Sequence, residues 1–176
     1  MIDTLISSKT RIKLLLKFFL NDKNTDYLRG LESQFGESSN AIRLELNRLE
    51  DAGLLTSGFE SNKKIFKANK LHPLFSDIKS MLFKYTGLTS IIDKVVESLG
   101  YLEAVYLTGD LAKGLYSETV EILVVGNVDQ VFLKKLIGKL EGELDKKITK
   151  EVLNPLDFDL ASMQGNYTNH LLLWSK

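Results

Sequence analysis

The chain has 176 residues, 44% of them hydrophobic and 26% charged, and its 23 Lys and Arg balance 23 Asp and Glu; this is ordinary soluble composition for one large domain or two small ones. The absence of cysteine excludes disulfides and thiolate metal centres. The opening MIDTLISSKTRIK, with an acid at Asp3 and no long apolar core, is not expected to act as a leader peptide, and the longest apolar runs, such as KLLLKFFL, fall far short of a membrane span, so a cytoplasmic protein without a membrane partner is expected.

The zero balance conceals an asymmetry. Residues 1–86 hold 14 basic and 10 acidic side chains, whereas residues 87–176 hold 9 and 13. A basic half joined to an acidic half points to a polyanion met by the first half alone. In chain order, SSKTRIKLLLKFFLN spaces Ile12, Leu15, Leu16 and Phe19 as an amphipathic helix that Ser8 or Thr10 can cap. NDKNTD is a polar, turn-rich loop. YLRGLESQFG gives a short helix with Leu28, Leu31 and Phe35 on one side, ended by Gly36. ESSNAIRLELNRLEDAG restarts a helix after Ser38 or Ser39, turns Ile42, Leu46 and Leu49 inward, and closes at Gly53. LLTSGFE and KKIFKAN are β-prone runs around SNK, a hairpin. HPLFSDIKSMLFKYTG returns to helical spacing through Leu74, Ile78, Leu82 and Tyr85, with Pro73 in its first turn. Gly87 marks the expected boundary between a domain over 1–86 and one over 87–176.

The second half alternates. LTSIIDKVVESLG is a helix, YLEAVYLTG a strand ending in glycine, ETVEILVVG a buried strand, DQVFLKKLIGKLEGEL a helix and KKITKEVL another strand. The weakly patterned tail from Asn154 to Lys176 is expected to hold one last helix. The class is therefore α+β: helices and a hairpin, then a small α/β unit.

The stretch YLRGLESQFGESSNAIRLELNRLEDAGLLTSGFESNKKIFKAN resembles the winged helix-turn-helix of bacterial regulators, most closely the arsenic-repressor-type group, over roughly the first 75 residues. The resemblance implies double-stranded DNA as partner, a recognition helix in the major groove and a homodimer paired through the helix from Leu74 to Tyr85, whose apolar stripe could equally pack on its own domain. Asn40, Arg43, Asn47 and Arg48 lie off the inward stripe of that helix; arginine can fork onto guanine and asparagine can pair with adenine. Ser38 and Ser39 stand where a helix start meets phosphate, and Lys63 and Lys64 at the wing tip suit phosphate or minor-groove contact. Each of these side chains could equally belong to a solvated face, and Leu44 could face a thymine methyl or the core. With only His72 and His170 and no cysteine, a metal-sensing role is not expected.

VYLTGDLAKGLYSETVEILVVG resembles the signature of small nucleotidyltransferases of the DNA polymerase beta type, over roughly residues 87 to 157. Working members carry a Gly-Ser turn, then Ala-Arg-Gly, then Ser-Asp-x-Asp leading into a strand. Here Gly109 is followed by Asp110, Ala112-Lys113-Gly114 takes the second position, and Thr119 and Glu121 fall where the two aspartates belong. That class clamps attacking and leaving oxygens between two magnesium ions, which demand hard anionic oxygens. Thr119 is neutral, and Glu121 is one methylene longer than aspartate. The next strand offers Thr149, with Glu151 on the same face as a substitute. A rearranged set of Asp110, Glu118 and Glu121 is a further arrangement to weigh, and Lys113 could meet an anion, although Gly109 and Gly114 could equally serve chain turning alone.

These departures lead to the expectation of a retained fold without enzymatic activity, catalytic residue, metal or cofactor. Its function would be a DNA-binding transcription regulator whose second domain is a sensor, dimerisation or partner module, with a nucleotide or another anion as effector. The alternatives are a magnesium-dependent nucleotidyltransferase guided by a winged helix, and a protein-interaction module of a paired regulatory or toxin–antitoxin system.

Overall fold

The computed structural model describes residues 2–158, 167 and 169–176. Two compact units emerge, one of Met1–Leu82 with Gly114–Tyr116, the other of Phe83–Lys113 with Ser117–Lys176. Among the described residues no helix is long and apolar enough to cross a membrane.

The first unit opens with α1 (Ile2–Leu5) and α2 (Lys9–Leu15). Ser8 caps α2, its Oγ accepting from the Arg11 amide at 3.2 Å. The apolar run then outlasts one amphipathic face. It continues as a π-helical turn, Leu16–Leu20, in which all five residues are buried. One of them is Lys17, whose ammonium lies 3.1 Å from Asp26 Oδ2 and donates to Gln34 Oε1 at 2.8 Å. That buried cation explains a strand where the sequence reads as a loop. β1 (Thr25–Tyr27) carries Asp26 inward and pairs with β3 (Lys63–Ala68), Asp26 opposite Phe66.

Two further helices follow. α3 (Leu28–Phe35) stops at Gly36, whose φ of 64° is the left-handed turn that glycine makes without strain. α4 (Ser39–Asp51) is capped by Ser38 and buries Ile42, Leu46 and Leu49, the inward stripe expected from spacing. It also buries Glu45, which that spacing did not indicate. Leu44 is 51% exposed, so the core option for it falls. β2 (Leu55–Glu60) completes the antiparallel order β1-β3-β2. α5 (Phe75–Thr86) starts later than Pro73, and its Phe75 ring stands 5.7 Å from that of Phe19.

The second unit is built on a four-stranded sheet. α6 (Leu88–Ser98) precedes β4 (Leu102–Thr108), a four-residue helix α7 (Gly109–Ala112) and β5 (Thr119–Gly126). α8 (Gln130–Leu144) then leads to β6 (Lys147–Leu153), and β7 (Leu171–Ser175) ends the chain. The sheet order is β6-β5-β4-β7, with β5 and β6 parallel and the other pairs antiparallel. Strand alternation divides the residues between two faces. Val105, Leu107, Val120, Ile122 and Val124 form one buried face, and the buried stripes of α6 (Leu88, Ile91, Val95) and α8 (Leu133, Ile137, Leu140) supply the helical layer. On the other face Ala104, Tyr106, Leu123 and Val125 are covered by Leu153, Phe158 and Tyr167. The expected terminal helix is corrected in part: residues 159–166 and 168 lie outside the described residues, and Leu171–Ser175 is a strand against β4. Its run LLLWS suits a half-buried sheet edge better than a helix.

Candidate functional site

The cleft of the second unit grows out of the β4–α7 turn. β4 and β5 pair so that Thr108 stands opposite Glu121, and Gly109 follows with φ 66°. A Cβ added to Gly109 would lie 2.0 Å from Glu121 Oε1, so the carboxylate occupies the space that the missing side chain leaves. β6 runs parallel beside β5 with Thr149 opposite Glu121. Glu151, two positions on, shares that face and accepts a hydrogen bond from the Tyr167 hydroxyl. Burial, then the hydrogen bond and charge of Glu151, push the Tyr167 phenol up to about 12.

These elements enclose an open cleft of about 510 Å³ lined by Gly109, Lys113, Glu121, Thr149, Glu151 and Tyr167, among others. Three residues expected from the signature, Gly109, Lys113 and Glu121, therefore come together. Asp110, Gly114 and Thr119 are not among its lining residues. Asp110 instead pairs with Lys113, its Oδ1 3.0 Å from Nζ. The Thr119 amide donates to Ser117 Oγ at 3.0 Å. Gly114 groups with the first unit, and a Cβ there would fall 2.5 Å from Lys17 Cα. Its role is close backbone approach at φ 74°. Tyr167 and Asn169 also line the cleft. The sequence offered no periodicity that would have singled them out.

A two-magnesium centre needs several hard anionic oxygens converging on one point. Among the described residues no group of three or more His, Cys, Asp or Glu is placed to hold a metal ion, and position 119 offers only a neutral hydroxyl. The residues do not fit that centre.

No family model matches the chain, and no curated protein matches it. Solved structures of nucleotidyltransferase-type proteins are similar to it. One is a tri-AMPylated HEPN toxin of Shewanella oneidensis in complex with its MNT antitoxin, at 20% identity and a TM-score of 0.38, covering 51% of this chain and 71% of that one. Another is a toxin–antitoxin structure with AMP-PNP, at 21% identity and a TM-score of 0.40, covering 50% and 73%. A Sulfolobus solfataricus protein classed as a nucleotidyltransferase matches at 20% identity and a TM-score of 0.36, covering 57% and 88%. These neighbours correct the expectation of a domain without enzymatic activity. At the cleft itself, Thr119 supplies no carboxylate, while Glu121 and Glu151 stand on adjoining strands.

In the first unit, the residues expected to meet DNA separate into two sets. Arg43, Asn47, Lys63 and Lys64 line one concave surface of about 480 Å³, together with Tyr27 and Arg29. Lys63 Nζ stands 4.5 Å from the centre of the Tyr27 ring. Lys64, although at this surface, is ion-paired to Glu50 at 2.7 Å. The remaining residues lie elsewhere. The Ser38 hydroxyl accepts from the Ala41 amide at 3.3 Å, Ser39 is half-buried and Asn40 exposed at the start of α4, and Arg48 pairs with Glu45 at 3.0 Å. Burial pushes Glu45 up, but hydrogen bonding and charge from Arg11, helped by Arg48, outweigh it and hold the carboxyl below the usual glutamate range.

Proposed function

We propose that this chain is a nucleotidyltransferase-fold component of a toxin–antitoxin type pair, with a nucleoside triphosphate as donor and a protein partner as acceptor of the nucleotidyl group. The observation that carries this reading is the seating of the Glu121 carboxylate against the Gly109 turn, with Lys113, Glu151 and Tyr167 at the same cleft. Lys113 supplies a cation for the phosphates once it gives up its pairing with Asp110. As a hydroxyl of the partner attacks the α-phosphorus, its proton passes to Glu121 or Glu151, and the bond to the β-phosphate breaks to release pyrophosphate. The partner is suggested by the Shewanella oneidensis toxin–antitoxin complex. The test is incubation of the full chain with α-labelled ATP, with and without magnesium, alone and with any protein that co-purifies with it. Label transfer lost in Glu121→Gln is expected. A chain that binds no nucleotide and labels no protein overturns the reading.

A second reading concerns the first unit: a winged helix, over the domain 1–86, that binds duplex DNA. It is supported by α3, α4 and the hairpin, and by the basic concave surface they share. The expected result is a salt-sensitive shift of duplex DNA; none at low salt overturns it.

A further inference from the structure

We propose that Arg29, Arg43 and Lys63 form one seat for the phosphodiester backbone of duplex DNA, so that Arg43 is a backbone contact and not a reader of bases. The inference rests on the DNA-binding reading of the first unit.

Ion pairing separates the basic side chains of this unit into two kinds. Arg48 is tied to Glu45 at 3.0 Å and Lys64 to Glu50 at 2.7 Å, so each presents a largely neutralised charge. Arg29, Arg43 and Lys63 have no carboxylate within ion-pair distance among the described residues, and all three are exposed. They come from the first turn of α3, from α4 and from the start of β3, yet line one concavity whose lining includes no acidic residue. Like charges gathered without a counterion repel one another, and a polyanion that passes through the concavity relieves that repulsion. Lys63 is further held over the Tyr27 ring, which fixes its ammonium at the mouth. A seat spread over three rigid elements follows the run of a backbone and not the edge of one base pair. Base reading would then fall to Asn40, exposed on α4 and outside the lining of that concavity.

Arg29 was not picked out from the sequence: it lies on the short helix before the turn, outside the recognition helix. The experiment measures binding of the full chain to a labelled duplex by fluorescence anisotropy between 50 and 200 mM salt, with the salt range set by the counterion effect. The variants are Arg29→Ala, Arg43→Ala and Lys63→Ala, with Lys139→Ala as a charge-loss control in the second unit. Circular dichroism melting confirms that each is folded.

The expected result is that each of the three reduces the slope of log K against log salt by about one, equally for different duplex sequences, while Lys139→Ala leaves it unchanged. Unchanged slopes in the three variants, with tight binding by the parent, overturn the seat and leave the DNA reading standing. A change of sequence preference in Arg43→Ala at constant slope also overturns it, because that marks a base contact. Tighter binding of single strands or free nucleotide than of duplex overturns the choice of ligand. A parent chain that binds no duplex removes the DNA reading and the seat together.

Discussion

The Glu121 carboxylate and the Gly109 backbone share one small space: a Cβ on residue 109 would sit 2.0 Å from Glu121 Oε1 and 2.3 Å from its Cδ. Gly109→Ala therefore displaces the carboxylate and also strains a φ of 66°. We expect nucleotide affinity and label transfer to fall at least tenfold, a change of about 1.4 kcal/mol, with a smaller loss of melting temperature. Calorimetric titration with ATP beside a thermal melt separates the two effects.

Asp26 and Lys17 form a buried ion pair, with side chains 8% and 9% exposed. Gln34 closes the set, its Nε2 donating to Asp26 Oδ2 at 2.7 Å. Asp26→Ala leaves the Lys17 charge buried without its counterion, and a loss of about 3–5 kcal/mol is expected in urea unfolding. The double variant Asp26→Ala, Lys17→Met should recover part of that loss. Gly30→Ala attacks the same set sterically, since its Cβ would meet Asp26 Oδ1 at 2.2 Å.

Acid should unfold the first unit early. Burial raises Glu37 and Glu45, but Lys13 with Thr10, and Arg11, outweigh it and hold both carboxyls below the usual glutamate value. Lys64 first, then Ser57, lowers Glu50. Groups depressed in the folded state stabilise it above their unfolded pKa, about 4.3 for glutamate, and that contribution disappears as pH falls through the folded values. Melting temperature should be level in this respect from pH 7 to about 5 and drop below about 4. Glu45→Gln should flatten the drop while lowering stability at pH 7.

Tyr167 offers a spectroscopic check on the cleft. Its phenol is pushed up to about 12 by burial and Glu151. Because the neutral form is favoured in the fold, this contribution is present below the ordinary tyrosine pKa of about 10 and lost above it, as pH rises toward the folded value. The phenolate absorbance that distinguishes the parent from Tyr167→Phe should emerge near pH 12, and at lower pH once Glu151→Gln is introduced. Emergence near pH 10 in the parent would show that the Tyr167–Glu151 bond does not form in solution.

Local chemistry was legible wherever a residue's role depended on its near neighbours. The glycine stops at Gly36 and Gly53, the Ser8 and Ser38 caps and the α4 stripe followed from spacing alone. What escaped depends on distant partners. Glu45 is polar by type but buried because Arg11, 34 residues earlier, binds it. β1 reads as a loop because its reason for pairing is Lys17, itself hidden within an apolar run. At the cleft, the glycine turn and Glu121 were visible in the signature, whereas Tyr167 reaches Glu151 from an unpatterned tail. Thr119 carried the inference of lost activity, and one missing carboxylate was too narrow a base for it.

β7 lies beside β4, the first strand of its sheet to be made, although Leu171–Ser175 is synthesised long after Leu102–Thr108. On the ribosome, β4 must therefore wait with one flank uncovered while helix α8 and strands β5 and β6 emerge. The sheet of the second unit is complete only once Leu171–Ser175 has joined β4. A message truncated ahead of Leu171 would yield a polypeptide with an open sheet margin, prone to capture by chaperones or by its own kind.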